Sequence, residues 1–166
     1  LALLITLLLV LGPLAFFGTR LEIAAWYEAA GQDAAWDKQP AKAIEKYTAA
    51  LSWAPNQPDY LVLRSEQYLL QDKIEAALAD AKLAYQSAPD RMTVCDAYSK
   101  ALVHAGKGDE AVKIWKEKLQ EAEQAESAAL PNYWNSVAYF QALANQDLDE
   151  ALVLINKALE RFPTEG

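Results

Sequence analysis

The chain has 166 residues and a formal net charge of −8, from 15 lysines and arginines against 23 aspartates and glutamates. This length suits one repeat array and is too short for two large domains. Alanine and leucine are abundant and glycine is scarce, which is typical of an all-α protein. The acidic balance argues against nucleic acid as a partner, because phosphates require lysine and arginine, and it favours basic or amphipathic peptides.

The chain begins with an apolar segment that runs from Leu1 to Phe17 and contains Thr6 as its one polar residue. As a helix it would extend roughly 26 Å, close to the thickness of a bilayer core. We therefore predict a transmembrane helix over residues 1–18 that contacts the lipid bilayer, with the rest of the chain on the periplasmic side. The alternatives are the apolar part of a secretory signal and a buried core helix. The first lacks a small-x-small cleavage site, and the second lacks a polar face.

The apolar segment is followed by Thr19-x-x-Glu22, which has the form of a capping box. This pattern predicts that the first helix ends and that a new helix begins near Arg20. Trp26 and Tyr27 follow one to two turns later. They suit either the headgroup region of a membrane or the core of the helical domain, and their distance from the apolar segment favours the core.

The rest of the chain divides into pairs of helices at proline, glycine and aspartate. Pro40, Pro58 and Pro131 suit first helical turns, and Asp90 suits a helix N-cap. Asp147-x-x-Glu150 has the form of another capping box. The predicted helices cover residues 20–37, 40–53, 58–70, 73–87, 91–105, 109–130, 131–146 and 151–163.

A repeat of 34 residues runs through these pairs. It places small and large side chains at fixed positions of the second helices, with a proline after them, and a fourth copy arrives six residues late. The matching sets are Ala43, Ala77, Ala111 and Ala151; Tyr47, Ala81, Trp115 and Ile155; Ala50, Ala84 and Ala158; and Pro55, Pro89 and Pro163. Such a period indicates stacked helix pairs, in which alanine permits close approach and proline ends the helix.

This pattern resembles the tetratricopeptide repeat family over residues 21–163. Tyr27 and Gly31 fit the family's aromatic and glycine places in the first unit, whereas Ser65 and Ser99 stand at the glycine place later, and Lys118 replaces the second alanine of the third unit. The resemblance implies a right-handed α-solenoid of about four helix pairs. The units are approximately 20–57, 58–90, 91–130 and 131–166, within a repeat domain of residues 19–166.

The residues offer little for catalysis. His104 is the only histidine and Cys95 the only cysteine, which excludes a histidine pair, a cysteine zinc site and an internal disulfide. Their spacing on one helix separates them by roughly 13 Å, too far for a nucleophile and its base. The acidic group Asp147, Asp149 and Glu150 is interpreted as a helix start. We therefore expect no enzyme activity, metal or cofactor.

The resemblance implies a concave groove lined by the first helix of each pair. In this sequence the corresponding residues are Glu28, Gln32, Trp36, Asp59, Val62, Glu66, Leu70, Asp96, Lys100, His104, Tyr133 and Phe140. This mixture of acids, aromatics and aliphatics would attract and hold a basic segment of another protein. The alternative is a solvated face that binds no ligand.

Together these features predict a single-pass, membrane-anchored scaffold that binds other proteins through its repeats. The first version is an accessory subunit of a membrane protein complex. The alternative is a transient assembly or chaperone-like factor that binds client proteins in the groove. Leu152 and Leu159 would leave the last helix partly apolar, so we expect further chain or a partner to cover it.

Overall fold

The computed structural model describes the backbone of residues 2–161 and the side chains of residues 18–161. Every regular element in the described backbone is an α-helix, as the composition predicts. The helices are α1 (Ala2–Trp36), α2 (Pro40–Trp53), α3 (Pro58–Leu69), α4 (Ile74–Ser87), α5 (Met92–His104), α6 (Gly108–Gln124), α7 (Leu130–Leu143) and α8 (Leu148–Arg161).

The chain forms two compact units, Leu1–Ala88 and Pro89–Gly166. In the first unit α1 packs on α2, α2 on α3 and α3 on α4. In the second unit α5 packs on α6, α6 on α7 and α7 on α8. Each helix therefore packs against the next one along the chain, which is the arrangement expected for stacked helix pairs.

The predicted transmembrane helix over residues 1–18 is wrong, and the single-pass membrane location with a periplasmic repeat domain is corrected with it. Within the described residues, no helix combines the length and the hydropathy that a bilayer crossing requires. The described part of α1 carries Arg20, Glu22 and Glu28 in close succession, and charged side chains are costly in hydrocarbon. The side chains of residues 1–17, on which the prediction rested, lie outside the described residues.

The predicted helix break after Gly18 is also wrong, because α1 continues from Ala2 to Trp36 without interruption. Thr19 and Glu22 therefore lie inside a helix and do not form a capping box. A glycine costs a helix about 1 kcal/mol relative to alanine, which is too little to end a helix whose flanking residues are good helix formers.

The repeated alanines and their large neighbours form the core, as the repeat predicts. Ala43, Ala77 and Ala111 are fully buried, and Tyr47 and Trp115 are each 1% exposed. Because alanine adds almost no bulk, the paired helices can approach closely, and the two aromatic rings fill the adjoining space.

Tyr27 and Trp26 have different environments although they are adjacent on α1. Tyr27 packs against the buried cluster of Ala24, Ala50 and Tyr60, which confirms the predicted core position. Trp26 is 65% exposed and meets the Tyr27 ring edge-on at 4.9 Å between centroids. One member of the pair is therefore a core residue and the other lies on the surface.

The first helix of every pair ends in a Schellman motif. Lys38, Asp72, Gly106 and Asn145 have left-handed backbones, with φ of 56°, 57°, 71° and 54°. The N–H group of each following residue donates to a carbonyl five positions back at 2.8–2.9 Å: Gln39 to Ala34, Lys73 to Tyr68, Lys107 to Leu102 and Gln146 to Gln141. These bonds satisfy carbonyl groups that a helix end otherwise leaves unpaired.

The predicted N-caps differ from the observed helix starts. The N-cap of α5 is Arg91, one residue after Asp90, and no side chain caps that helix. Glu150 lies inside α8, which begins at Leu148. Its carboxylate and that of Asp147 pair with Lys116 of α6. The acidic side chains at this position therefore make tertiary ion pairs.

Candidate protein-binding site

The predicted groove residues of the first unit lie on α1 and α3. Glu28 and Gln32 are one turn apart on α1, and the Gln32 amide donates a hydrogen bond to the Glu28 carboxylate. Asp59, Val62 and Glu66 lie on α3 and are all half-buried, as is Glu28. We call the carboxylates of Glu28, Asp59 and Glu66 the acidic face.

Two tyrosines connect the carboxylates of the acidic face. Burial, followed by the negative charges of Glu28 and Glu66, raises the pKa of Tyr47 to about 12. Burial, followed by the charges of Glu28 and Asp59, also raises the pKa of Tyr60. Because Glu28 influences both phenols and each α3 carboxylate influences one of them, the three acids surround a common region of the first unit. Negative charge is therefore concentrated over a buried aromatic floor.

Two large apolar side chains accompany the acidic face. Trp36 is the last residue of α1 and is 89% exposed, and Leu70 follows the last residue of α3 and is 72% exposed. They are separated by 34 residues, which is the period of the repeat. Exposed tryptophan supplies a flat apolar surface and a π face that attracts cations. The predicted residues of the first unit thus combine charge with accessible apolar area.

The predicted residues on α5 are polar and already interact with each other. The Lys100 ammonium group lies 2.6 Å from the Asp96 carboxylate one turn away, and the two side chains are each 37% exposed. His104 is the last residue of α5 and is exposed. Asp96 and Lys100 offset each other's charge, so this part of the predicted groove presents little net charge to a partner.

Phe140 does not belong to an accessible surface. It is fully buried and stacks on Trp115, with ring centroids 5.8 Å apart and planes 12° from parallel. Tyr133 is half-buried and lies 6.4 Å from the same Trp115 ring. The side of α7 that faces α6 therefore includes both residues, and the predicted role of Phe140 in a groove is corrected to a core role.

Lys116 forms an ion-pair network that the sequence did not reveal. Its Nζ lies 2.7 Å from Glu150 and 3.2 Å from Asp147, and the buried Gln141 donates to Glu150 at 2.6 Å. The hydrogen bond from Lys116 lowers the pKa of Glu150, and the hydrogen bond to Glu150 raises the pKa of Lys116. This network joins α6, α7 and α8. The partners are 31 and 34 residues apart, so no local pattern signals them.

A second surface, between α7 and α8, is almost entirely apolar. It is an open groove of about 510 Å³. It is lined by Asn135, Ala138, Tyr139, Ala142, Leu148, Ala151, Leu152 and Ile155. The sequence pointed to Leu152 as uncovered, but it did not show that α7 and α8 form a continuous groove around it. We call this surface the α7/α8 groove.

Comparison with known proteins gives similarity at the level of structure. No family model matches the sequence, and no curated protein matches it. MamA from Desulfovibrio magneticus RS-1, from residue 41 to its end, matches with a TM-score of 0.65 and 13% identity over 86% of this chain and 77% of that chain. Another crystal structure of MamA matches with a TM-score of 0.66 and 14% identity over 86% and 80%.

The tetratricopeptide repeat domain of Sgt2 from Aspergillus fumigatus matches with a TM-score of 0.59 and 24% identity, over 82% of each chain. At these identities the similarity shows the fold alone. The chain therefore has a tetratricopeptide-like fold, as the 34-residue repeat predicts. None of these similarities shows a membrane anchor.

Proposed function

We propose that this protein is a protein-interaction scaffold whose first unit binds a basic segment of another polypeptide. Proteins of the tetratricopeptide fold act as interaction scaffolds, and this general role is the one that the structural neighbours support. The observation that carries the specific proposal is the convergence of Glu28, Asp59 and Glu66 around Tyr47 and Tyr60.

The acidic face would bind a lysine or arginine through charge-assisted hydrogen bonds. Its carboxylates come from two helices that both pack on α2, so the backbone that carries them is rigid before a partner arrives. A preorganised site loses less conformational entropy on binding than a flexible one. Trp36 and Leu70 would hold the apolar side chains that flank the basic residue, which gives selectivity for segments in which both kinds of residue alternate.

The polarity of this surface favours a transient factor over a permanent subunit. Permanent interfaces are large and mainly apolar, whereas charged and half-buried groups are typical of complexes that form and dissociate. A transient assembly or client-binding factor therefore fits the acidic face better than the accessory-subunit version. The two differ in an observable way, because a transient complex held by charge dissociates as salt rises, and a permanent subunit keeps a fixed stoichiometry.

Fluorescence anisotropy with two labelled peptides tests the proposal. One peptide alternates arginine with leucine, and the other has glutamate in place of each arginine. We expect the arginine peptide to bind and the glutamate peptide not to bind. Affinity for the arginine peptide should fall by about ten-fold between about 50 mM and 300 mM salt.

Charge reversal separates the acidic face from the general charge of the protein. The double variant Glu28→Lys and Glu66→Lys should weaken binding of the arginine peptide by about ten-fold or more. The double variant Glu22→Lys and Glu75→Lys changes the net charge equally at exposed positions of the same unit and should bind almost as well as the unaltered protein. Equal losses in the two double variants, or equal binding of the two peptides, would show that the acidic face is not a specific site.

A further inference from the structure

The α7/α8 groove exposes positions that are covered in the preceding helix pair. Within the second unit, α7 packs on α6, and its Ala144 and Phe140 contact Gly108 and Trp115. Counted by the repeat, the groove residues Asn135, Tyr139, Ala142, Ala151, Leu152 and Ile155 correspond to Cys95, Ser99, Leu102, Ala111, Val112 and Trp115, all of which are buried. In the groove, Leu148 is 48% exposed and Leu152 is 64% exposed. The surface therefore has the form of one that accepts a helix.

The helix α8 itself carries the pattern that such a surface would accept. Leu148, Leu152, Ile155 and Leu159 follow one another at spacings of four, three and four residues. This is the apolar spacing of a coiled-coil stripe, and it places the four side chains along one side of the helix. Leu159 is 50% exposed, so the stripe remains accessible beyond the end of the groove. We call these four residues the α8 stripe.

Charges at the two ends of α8 define an orientation. The helix begins with Asp149 and Glu150 and ends with Lys157 and Arg161. Two such helices in antiparallel orientation place the acidic start of each beside the basic end of the other. A parallel arrangement would place acids beside acids and bases beside bases. Electrostatics therefore favours the antiparallel pair.

We propose that the α7/α8 groove binds a second copy of this chain. The two copies pair through α8 in antiparallel orientation about a twofold axis, and each inserts its α8 stripe into the groove of the other. Such an interface uses the same patch on both copies, so it closes as a dimer and does not propagate into fibres. It also covers a contiguous apolar surface of a kind that marks association sites. The proposal concerns the second unit and does not depend on the acidic face.

Sedimentation equilibrium and light scattering on the whole chain test the proposal. We expect a dimer at concentrations of tens of micromolar. Leu152→Glu places a charge at the middle of the stripe and should raise the dimer dissociation constant by about 100-fold or more. Val153→Glu is the matched control, because Val153 is adjacent, 54% exposed and not part of the groove lining, and it should leave the dimer unchanged.

Cross-linking tests the orientation. In a Cys95→Ala background, Leu148→Cys and Leu159→Cys should form a disulfide when the two variants are mixed, since antiparallel pairing places these positions together. Neither variant should cross-link with itself. A protein that stays monomeric, a dimer that Leu152→Glu does not affect, or cross-linking of Leu148→Cys with itself would each overturn the proposal.

Discussion

Gly31 of α1 lies directly against the ring of Tyr47 in α2. A Cβ atom at residue 31 would stand 2.7 Å from Cδ1 and 3.0 Å from Cζ of that ring. The ring cannot move away easily, because Tyr47 is 1% exposed and belongs to a buried cluster with Ala34 and Ala43. The glycine and the tyrosine together set the closest approach of the first helix pair.

Gly31→Ala should therefore lower the free energy of unfolding by about 2 kcal/mol, because the new methyl group overpacks the Tyr47 ring. Gly18→Ala in the same helix is the control. No atom lies within 4 Å of a Cβ at Gly18, so the better helix propensity of alanine should raise stability by up to about 1 kcal/mol. Urea denaturation followed by circular dichroism measures both variants. Equal stability of the two would show that the contact has no energetic effect.

The left-handed residues at the helix ends predict a gain in stability. Lys38 and Asp72 hold positive φ angles that side chains with a Cβ adopt at a cost of about 1 kcal/mol or more. Lys38→Gly and Asp72→Gly should each raise the free energy of unfolding by about 0.5–1 kcal/mol. Lys42→Gly, at an exposed position inside α2, is the control and should lower it by about 1 kcal/mol. The prediction fails if Lys38→Gly and Lys42→Gly change stability in the same direction.

These helix ends show what the sequence could and could not provide. The alanine spacing predicted the helix pairs, because close packing permits only small side chains at those positions. The turns at Lys38 and Asp72 were not predicted as left-handed, because glycine, the usual residue there, occurs at only one equivalent position, Gly106. Local propensity is weak at such places, and the bonds of the Schellman motif determine the conformation.

The candidate site was predictable to a similar extent. The phase of the repeat selected Glu28 and Glu66, but the buried tyrosines that link them lie on other elements and became visible only in the structure. The same phase placed Phe140 at a groove position and was wrong, because the fourth unit begins six residues late and α7 packs Phe140 against Trp115. Lys116 was missed since its partners are remote in sequence.

The ion pair between Arg64 and Asp80 leads to a third prediction. Arg64 donates from Nε and Nη2 to the two Asp80 oxygens at 2.7 and 2.8 Å, and from Nη1 to Thr48 at 3.0 Å. Asp80 is 8% exposed, so its removal leaves a guanidinium group without its anion in a partly buried place. Asp80→Ala should lower the free energy of unfolding by about 2–3 kcal/mol.

Two further variants separate the pair from general effects of substitution. The double variant Arg64→Met and Asp80→Leu should recover most of the loss, because it leaves no unpaired charge. Glu45→Ala breaks the exposed contact with Lys46 and should leave stability unchanged within error. Denaturation in urea measures all three. An additive double variant, as unstable as the two single changes summed, would contradict this account of the pair.

The tyrosine beneath the acidic face predicts a loss of stability in alkali. The pKa of Tyr47 is about 12 in the folded protein, against an ordinary value of 10.0. A raised pKa means that the folded chain keeps the phenolic proton more tightly than the unfolded chain does. The contribution to stability is therefore complete below pH 10 and is lost between about pH 10 and pH 12, with a slope of about 1.4 kcal/mol per pH unit. Tyr47→Phe should remove this part of the slope, whereas Tyr60→Phe should retain it. Urea denaturation at several alkaline pH values gives the slopes. If Tyr47→Phe loses stability as steeply as the unaltered protein over this range, then Tyr47 is not the group that titrates.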